Sequence, residues 1–413
     1  MAKPQIRLKG FEGEWTLNLM SEVIKDMYNG QTPYREDSRY WNGDVNWISS
    51  GDLNRGIVNS CTEKITKEGQ ESAHLRLIPK GTFVMAITGL EAAGTRGNCG
   101  ILGIDTTMNQ SCMALFPDES KLNTDFLFQW YRAHSEVLGI RLTQGTKQQS
   151  YNASIIKGIE LYLPSIEEQK SLTQILAKMD YNILATTKTI ASLKQMKQAS
   201  LVSMFPQAGE TTPRVRFKGF EGEWENKELC DCLEISNERN FDNKYDKEDV
   251  LSVSDDFGVM NQIELLGRSY AGKSVSNYGI LKQGELVYTK SPLKSKPFGI
   301  VKENTGETGI VSVLYAIYRA KEGYWIPYFH YYFDPAWRLN AYLRPLINKG
   351  AKNTMNISDE AALTGHVMIP KDIKEQQRIA SYFRSLDKQI SLQEQQLEKL
   401  KQIKAACLDK MFV

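Results

Sequence analysis

The chain has 413 residues, which is too long for one ordinary hydrophobic core and favours two or three domains. Apolar residues make up 41% and charged residues 24%, and there is no run of about 18 apolar residues and no signal-peptide core, so we expect a soluble cytoplasmic protein without a membrane span. The net charge of +2 does not by itself indicate a polyanion partner. The six cysteines include no CxxC pair, which predicts reduced thiols and argues against a metal site.

The first domain, which we place at residues 1–162, has the pattern of a mixed α/β domain with long loops. It opens with PQIRLKGFEGEW at residues 4–15. Residues 82–88 (TFVMAIT) and 112–116 (CMALF) are short and rich in β-branched, aromatic and other apolar types, which predicts strands. Residues 123–138 predict a helix.

Residues 163–206 predict one long helix. It begins with Pro164 and a capping box, Ser165-x-x-Glu168, which satisfies free amides of the first turn. Apolar residues then recur at alternating spacings of three and four, the pattern of a helix that pairs with another helix along a narrow seam. The seam residues of this helix are Leu176, Met179, Ile183, Ile190 and Leu193.

The second domain, at residues 207–368, repeats the opening of the first. Residues 213–224 read PRVRFKGFEGEW and share KGFEGEW with the start of the chain. Residues 285–289 (ELVYT) and 312–318 (SVLYAIY) predict strands, and residues 327–347 predict a helix. A repeat of this length indicates a duplicated domain and not a solenoid.

Residues 369–413 repeat the first helix, beginning with Pro370 and the capping box Asp372-x-x-Glu375. Its seam residues are Phe383, Leu386, Ile390, Leu397 and Leu400. A helix of about 40 residues is roughly 60 Å long. Because domain and helix alternate, we expect an α+β protein in which two mixed α/β domains are joined to two helices that pair as an antiparallel coiled coil, in a pseudo-twofold arrangement. The alternative is that each helix packs separately on its own domain.

Basic residues cluster in three stretches. Residues 139–157 carry three basic residues and residues 335–358 carry four, with no acid in either, and residues 268–302 carry seven with the single acid Glu285. Basic stretches with aromatic residues among them favour a polyanion partner, and a solvated basic face is the alternative.

No motif for catalysis stands out. A DNA methyltransferase needs a [DNS]PP[YFW] tetrapeptide to hold a flipped base, and the nearest match, DPAW at residues 334–337, lacks the second proline. Residues 267–274 (GRSYAGKS) fit the phosphate-binding pattern GxxxxGK[ST]. Because the residues after Ser274 do not predict the helix that would face the phosphates, we expect a basic loop that faces DNA or solvent.

Several motifs resemble those of one family. The first domain has Gly30-Gln-Thr32-Pro33, Tyr40-Trp41-Asn-Gly43, Trp47-Ile48-Ser-Ser-Gly-Asp52-Leu53 and Asn109-Gln110-Ser111. Each helix opens with Leu-Pro or Ile-Pro followed by Glu-Gln. With the repeated order of domain and helix, the whole chain resembles the specificity subunit of type I restriction–modification systems. The second domain lacks the tryptophan run, so we expect it to be a different subtype of recognition domain.

The resemblance implies a non-catalytic subunit whose two target-recognition domains read, in the major groove, the halves of a bipartite, asymmetric DNA target. The helices would set the gap between the halves and dock two methyltransferase (modification) subunits, through which restriction subunits would join. S-adenosylmethionine, ATP and Mg²⁺ would belong to these partners, and this chain would hold no cofactor. The alternatives are a stand-alone DNA methyltransferase or nuclease, and a protein-assembly scaffold without base readout.

Candidates for DNA contact are basic and amide side chains on loops. They are Arg96, Asn98, Arg141, Lys147, Gln148 and Gln149 in the first domain and Lys273, Lys290, Lys294, Lys296, Lys352 and Asn353 in the second. Lys147 and Lys352 lie in loops at equivalent places in the repeat, GTKQQ and GAKN, which favours these two. For each candidate, a solvated surface role is the alternative.

Overall fold

Each of the two long helices belongs in part to both of the units into which the chain divides. The structure, a computed structural model, describes residues 3–90, 96–142, 150–290, 296–349 and 355–413. The first unit is made of Met1–Thr187 and Gln395–Val413, and the second is Lys188–Glu394. None of the helices in the described residues is long and apolar enough to cross a membrane. The four-segment division predicted from the sequence stays a prediction.

The first domain is built on two small sheets. Its elements are β1 Thr16–Leu19, α1 Met20–Val23, β2 Ile24–Asn29, β3 Trp41–Ile48, β4 Gly56–Val58, β5 Glu63–Ile65, α2 Lys67–Ser72, β6 Phe83–Ala86, β7 Cys99–Leu102, β8 Thr107–Met108, β9 Cys112–Pro117, α3 Thr124–Arg141, α4 Ala153–Lys157 and β10 Glu160–Leu163, followed by the long helix α5 Ile166–Ser203. The strand orders are β2-β9-β6-β7-β4 and β5-β3-β8. Short 3₁₀ turns at Ser38–Tyr40 and Ser50–Asp52 flank β3.

The second domain has one main sheet and several strand pairs. Its elements are β11 Glu225–Glu228, α6 Leu229–Cys232, β12 Leu233–Ile235, β13 Leu251–Ser254, β14 Gly258–Asn261, α7 Gln262–Leu266, β15 Gly279–Leu281, β16 Leu286–Thr289, β17 Ile300–Glu303, β18 Gly309–Val311, β19 Tyr315–Ala320, α8 Ile326–Phe333, α9 Ala336–Leu343, β20 Asn348–Lys349, β21 Met355–Asn356 and β22 His366–Ile369, followed by the long helix α10 Ile373–Lys410. The main sheet has the order β12-β19-β16-β17. Short 3₁₀ turns lie at Lys247–Asp249 and Ala361–Leu363.

The same strand pair closes each domain just before its long helix. β1 pairs antiparallel with β10, with Thr16 opposite Leu163. β11 pairs antiparallel with β22 in the same way, with Glu225 opposite Ile369. The first and last strands of each domain are therefore neighbours, and the long helix leaves from a fixed point.

The Glu-Gln dipeptide at the start of α5 ties this helix to the first domain. Arg7 donates hydrogen bonds of 2.8 and 2.7 Å to the two carboxylate oxygens of Glu168. It also donates to the carbonyl of Gly13 in the repeated KGFEGEW segment, at 2.5 Å. The side-chain oxygen of Gln169 accepts from the amide of Asn123, the N-cap of α3, at 2.9 Å. Both residues of the dipeptide thus have structural partners.

The second unit repeats these bonds. Arg216 donates to both carboxylate oxygens of Glu375, at 2.7 and 2.8 Å, and to the carbonyl of Gly222 at 2.6 Å. Gln376 accepts from the amide of Trp325, the N-cap of α8, at 3.0 Å. The repeated sequence motifs therefore encode one junction between a domain and a helix, used twice.

The predicted strands and helices are found, with one difference. The strands expected at residues 82–88, 112–116, 285–289 and 312–318 are β6, β9, β16 and β19, and the helix at 123–138 is α3. The single helix expected at residues 327–347 is instead two helices, α8 and α9, which separate at Asp334 and Pro335. Proline lacks the amide proton of a helical bond and disfavours helical geometry in the residue before it, so the helix stops there.

The hydrophobic core of each unit includes residues from both long helices. In the first unit, Leu176 of α5 and Phe412, just beyond α10, are buried, and the rings of Phe412 and Phe126 lie 5.3 Å apart. In the second, Phe205, just beyond α5, stacks on Phe383 of α10 at 6.0 Å. Burial of one such ring stabilises by roughly 1.5–3 kcal/mol, so the helix ends are part of what holds each domain together.

The residues predicted to form the seam of the two helices are all buried or half-buried. In the second unit the pairing is antiparallel, because Lys194 contacts Glu394 at 2.7 Å whereas Ser200, further along α5, contacts Tyr382, earlier in α10, at 2.9 Å. The predicted fold class, mixed α/β domains alternating with two long helices, is confirmed. The role of each seam residue and the pseudo-twofold stay predictions.

Candidate nucleic-acid interface

The Gly30-Gln-Thr32-Pro33 motif of the first domain builds a loop against the strand β8. A Cβ atom on Gly30 would overlap the carbonyl oxygen of Met108, so only glycine fits there. The amide of Gln31 donates to that same carbonyl at 3.0 Å. The hydroxyl of Thr32 donates to the side-chain oxygen of Gln110 at 2.5 Å. The glycine motif and the Asn-Gln-Ser motif therefore hold each other in place.

The tryptophan run fixes the next loops. The indole of Trp47, which is buried, donates to the carbonyl of Gln31 at 3.1 Å. The carboxylate of Asp52 accepts hydrogen bonds from Ser49 and Thr62. Burial raises the pKa of Asp52, but the hydrogen bonds from Thr62 and Ser49 outweigh it and hold the pKa below its ordinary value. The motifs that carry the family resemblance are thus mainly structural, and they shape a loop surface beside β3.

An arginine site lies on this loop surface. The guanidinium of Arg35 stacks over the ring of Trp41, 4.0 Å from its centroid, and forms two bonds of 2.5 and 2.9 Å to Glu63. The hydrogen bond from Arg35 holds the pKa of Glu63 below its ordinary value. An open pocket of about 480 Å³ beside them is also lined by Asn42 and Lys64. An aromatic wall with paired donors and acceptors can bind a base or a sugar, whereas Glu63 offsets much of the charge that would attract a phosphate.

The described candidates of the first domain differ in their availability. Arg96 is half-buried, and its guanidinium donates to the carbonyl of Leu90 at 3.1 Å and to Glu136 at 2.7 Å, so it is held inside the domain. Asn98 is half-buried, and its carbonyl accepts from Ala86. Arg141 is exposed in the last turn of α3, and within the part of the chain that the structure describes it has no ion-pair partner. Lys147, Gln148 and Gln149 lie outside the described residues.

In the second domain, two of the lysines proposed to bind DNA are bound to acids. Lys296 is buried, contacts Asp255 at 2.5 Å and donates to the carbonyl of Asp334 at 2.9 Å. Lys290 is half-buried and contacts Asp359 at 2.5 Å. Both ammonium groups therefore already have strong partners inside the domain. Lys294, Lys352 and Asn353 lie outside the described residues, and the assignment of every candidate to DNA stays a prediction.

The loop that matches the phosphate-binding pattern is exposed and basic. Gly267 ends α7 with a φ of 76°, and the guanidinium of Arg268 lies 4.5 Å from the ring centroid of Tyr270. Lys273 is exposed in the same loop. Ser274 is followed by a turn and the strand β15, so these residues do not present a helix N-terminus to a phosphate. The loop instead presents two cations and an aromatic ring at the surface.

Exposed aromatic side chains in the second domain were missed by sequence reasoning. Phe241 is 69%, Phe257 68% and Tyr270 60% exposed. Phenylalanines in polar turn segments, NFDN at residues 240–243 and DDFG at residues 255–258, were the available signal, because such segments rarely enter a core.

Comparison with known proteins finds a family match in the first half of the chain. Residues 13–195 match the family model of the type I restriction modification DNA specificity domain, which confirms the resemblance for this segment. The chain is 26% identical over 170 residues to the specificity subunit of the type I restriction enzyme EcoR124I/EcoR124II from Escherichia coli, covering 41% of this chain and 42% of that protein. It is 26% identical over 176 residues to the MjaIX specificity subunit from Methanocaldococcus jannaschii, covering 40% and 38%. The match thus spans less than half the length of these relatives.

Solved structures share the fold along the whole chain. The S subunit of a type I restriction–modification system from M. genitalium superposes with a TM-score of 0.61 at 13% identity, covering 100% of this chain and 99% of that one. A chain from a study of assembly and conformational transition in the type I R-M system gives 0.50 at 15% identity, covering 97% and 98%. At these identities the likeness concerns the fold.

Proposed function

We propose that this chain, whose residues 13–195 carry a type I restriction modification DNA specificity domain, selects the DNA sequence for a multi-subunit restriction–modification enzyme. Each recognition domain reads one half of a bipartite target, and the paired helices set the distance between the halves. The chain performs no chemistry itself. Adenine methylation and DNA cleavage, with their S-adenosylmethionine, ATP and Mg²⁺, belong to partner subunits.

The observation that carries this proposal is that both domains join their long helices through the same contacts, although their sheets differ. The strand pairs β1–β10 and β11–β22 match, and so do the ion pairs Arg7–Glu168 and Arg216–Glu375. Between them, the first domain has the sheet β2-β9-β6-β7-β4 and the second the sheet β12-β19-β16-β17. To bind two half-sites of different sequence, the two domains need the same attachment to the helices but different DNA-contacting surfaces. This arrangement provides both.

The exposed loops supply the chemistry for DNA contact. Arg268, Tyr270 and Lys273 form a basic and aromatic surface on the second domain. The first domain presents Arg141 at the end of α3 and the Arg35 pocket beside β3. Cations of this kind hold the phosphates and fix the register, while aromatic and amide groups discriminate bases.

Exposed apolar side chains on the helices support docking of partner subunits. Met196 of α5 and Ile403 of α10 occupy equivalent places in the repeat and are 51% and 52% exposed. Tyr181, Leu184 and Leu392 are also exposed. Large apolar side chains that stay exposed at equivalent places of a repeat suit contact with a protein partner. We assign them to contacts with two modification subunits, one on each repeat, with restriction subunits joining through them.

An exchange of the first domain tests the function. Residues 1–162 are replaced by the corresponding domain of another specificity subunit, and the full chain is co-expressed with its modification subunits in a host without other adenine methylation. Mapping of methylated adenines should show one new half-site and one old half-site. If both half-sites stay as before, the first domain does not read DNA and the proposal fails.

A second measurement separates this function from a stand-alone enzyme. The purified chain is incubated alone with S-adenosylmethionine, Mg²⁺ and DNA. We expect neither methylated nor cleaved DNA. Product formed by the chain alone, and lost on mutation of the chain, would establish an enzyme in place of a specificity subunit.

A further inference from the structure

One lysine and one aspartate connect the two long helices in both units. In the second unit, Nζ of Lys197 on α5 lies 2.8 Å from Oδ1 of Asp387 on α10. In the first unit, Lys404 on α10 bonds to Asp180 on α5. Lys197 and Lys404 occupy equivalent places in the repeat, as do Asp180 and Asp387. We call each of these contacts the Lys–Asp pair.

The two domains contact the Lys–Asp pair with opposite charges. In the first unit, Arg132 of α3 donates to Oδ2 of Asp180 at 2.9 Å. In the second, Oδ2 of Asp334, at the end of α8, lies 3.3 Å from Nζ of Lys197. The first domain therefore supplies a cation to the aspartate, and the second supplies an anion to the lysine.

Asp334 is held rigidly within the second domain. The ammonium of Lys302 contacts its Oδ1 at 2.8 Å, and that of Lys296 donates to its carbonyl at 2.9 Å. Burial raises the pKa of Asp334, but the nearby ammonium groups of Lys302 and Lys197 outweigh burial and hold this pKa well below its ordinary range. Its contacts with Lys302 and Lys296 fix the position of Asp334 within the domain.

Arg132 is held in a corresponding way in the first domain. Its guanidinium also donates to the side-chain oxygen of Gln129, which is buried, at 3.2 Å. It lies 5.1 Å from the ring centroid of Phe128. Each domain thus presents one preorganised charge to the same pair on the helices.

We propose that the Lys–Asp pair is a docking socket that accepts a recognition domain of either charge and fixes the orientation of that domain on the helices. Asp334 and Arg132 are then positioning residues for the spacing at which the two half-sites are read. The inference rests on the proposed function. Because both partners of a poorly hydrated ion pair must be satisfied at once, such contacts favour one orientation strongly over its neighbours.

A small rotation of a recognition domain about the socket is enough to change the gap between the two half-sites. A domain of this size has a diameter of roughly 40 Å. A rotation of about 5° about the socket moves its far surface by about 3.5 Å, which is close to the rise of one base pair. Loosening the socket should therefore change the accepted gap by one base pair before it changes the bases that are read.

The test measures the gap directly. Full-length Asp334→Asn and Arg132→Leu are each co-expressed with the modification subunits, and methylated adenines are mapped across the host genome. We expect the half-site bases to be unchanged and the share of sites with a gap one base pair longer or shorter to rise at least fivefold. The matched control is Lys194→Met, because Lys194 also pairs with α10, through Glu394, but both side chains are about half exposed. It should keep the native gap.

A charge reversal tests the socket itself. In Arg132→Glu the new carboxylate would face Lys404 as Asp334 faces Lys197, so the share of sites with a changed gap should be at most half of that in Arg132→Leu. A share as high as that of Arg132→Leu, or higher, would overturn the idea that either charge is accepted.

Two results would overturn the positioning role. One is a native gap distribution in folded Asp334→Asn and Arg132→Leu, with folding checked by thermal melting. The other is a change in the half-site bases themselves, which would place these residues in base readout. If Asp334→Asn does not fold, the Arg132 variants decide alone. Neither result touches the proposed function, which the domain exchange tests through the half-site sequence.

Discussion

Arg7 donates hydrogen bonds to both carboxylate oxygens of Glu168, although the two residues are 161 positions apart in the chain. Glu168 is almost fully buried, with 2% of its side chain exposed, and Arg7 is 19% exposed. The bond joins the segment before β1 to the first turn of α5. Its counterpart, Arg216–Glu375, does the same in the second unit. Each of these two ion pairs fixes one domain to the start of its long helix.

Replacing Glu168 should destabilise the first unit. In Glu168→Ala the mostly buried guanidinium of Arg7 loses its carboxylate partner and keeps only backbone carbonyls, which we expect to lower the free energy of unfolding by about 2–4 kcal/mol. Urea denaturation of the full chain measures this. The control is Arg214→Ala, which breaks the exposed i,i+4 pair with Glu210 and should cost no more than about 0.5 kcal/mol. Equal losses in the two variants would contradict the role given to Glu168.

His330 should make stability depend on pH. Burial, with Lys302 nearby, lowers the pKa of His330 from 6.5 to about 3, and its Nδ1 accepts a hydrogen bond from the amide of Glu303 at 3.0 Å. Between about pH 3 and pH 6.5, His330 is protonated in the unfolded chain but not in the folded chain. The contribution of His330 to the free energy of unfolding is therefore complete above pH 6.5, and it falls by about 1.4 kcal/mol per pH unit as the pH decreases towards 3.

The measurement compares stability–pH curves of two variants with the wild type. In His330→Asn the amide oxygen can still accept the bond from Glu303, but the group no longer titrates, so the curve should be flatter between pH 6 and 4 by about 1 kcal/mol per unit. His366→Asn replaces an exposed histidine and should follow the wild type. A His330→Asn curve parallel to the wild type would show that this histidine does not contribute.

Two lysines from one basic stretch should behave differently. Lys273 is exposed in the loop after α7, so Lys273→Ala should weaken DNA binding and reduce the salt slope by about 1 without loss of stability. Lys296 is buried against Asp255, so Lys296→Met should lower the unfolding temperature and leave the salt slope unchanged. Binding titrations at several salt concentrations, with parallel melting curves, distinguish the two. A salt slope that changes only for Lys296 would reverse the assignment.

The helices were predictable because their signal is local. Spacing along the chain places Leu176 and Ile190 on one face of α5, and Phe383 and Ile390 on one face of α10. Ser165 and Asp372 accept hydrogen bonds from amides of the first turns and mark where the helices begin. The break at Pro335 follows an equally local rule, but the apolar pattern continues across it and therefore predicts a single helix.

The site was less predictable because its partners are distant in sequence. Lys296 belongs to a basic stretch, yet Asp255, from the turn between β13 and β14, neutralises it across 41 positions. No local pattern marks Arg35, because Glu63 and Trp41 come together beside it only when β3 and β5 pair. Composition counts charges, whereas the fold decides which of them remain available to a ligand.

The placement of Phe412 in the first core has a consequence for the order of events during synthesis. The ring packs on Phe126, but it is translated after the whole of Lys188–Glu394 has been synthesised. The second unit is one continuous segment and can fold as soon as it emerges. The first unit must close a loop of about 200 residues before its core is filled, which adds only a few kcal/mol of entropy but imposes a delay. The domain made first is therefore completed last, and until then its apolar surface stays open to chaperones and to other chains.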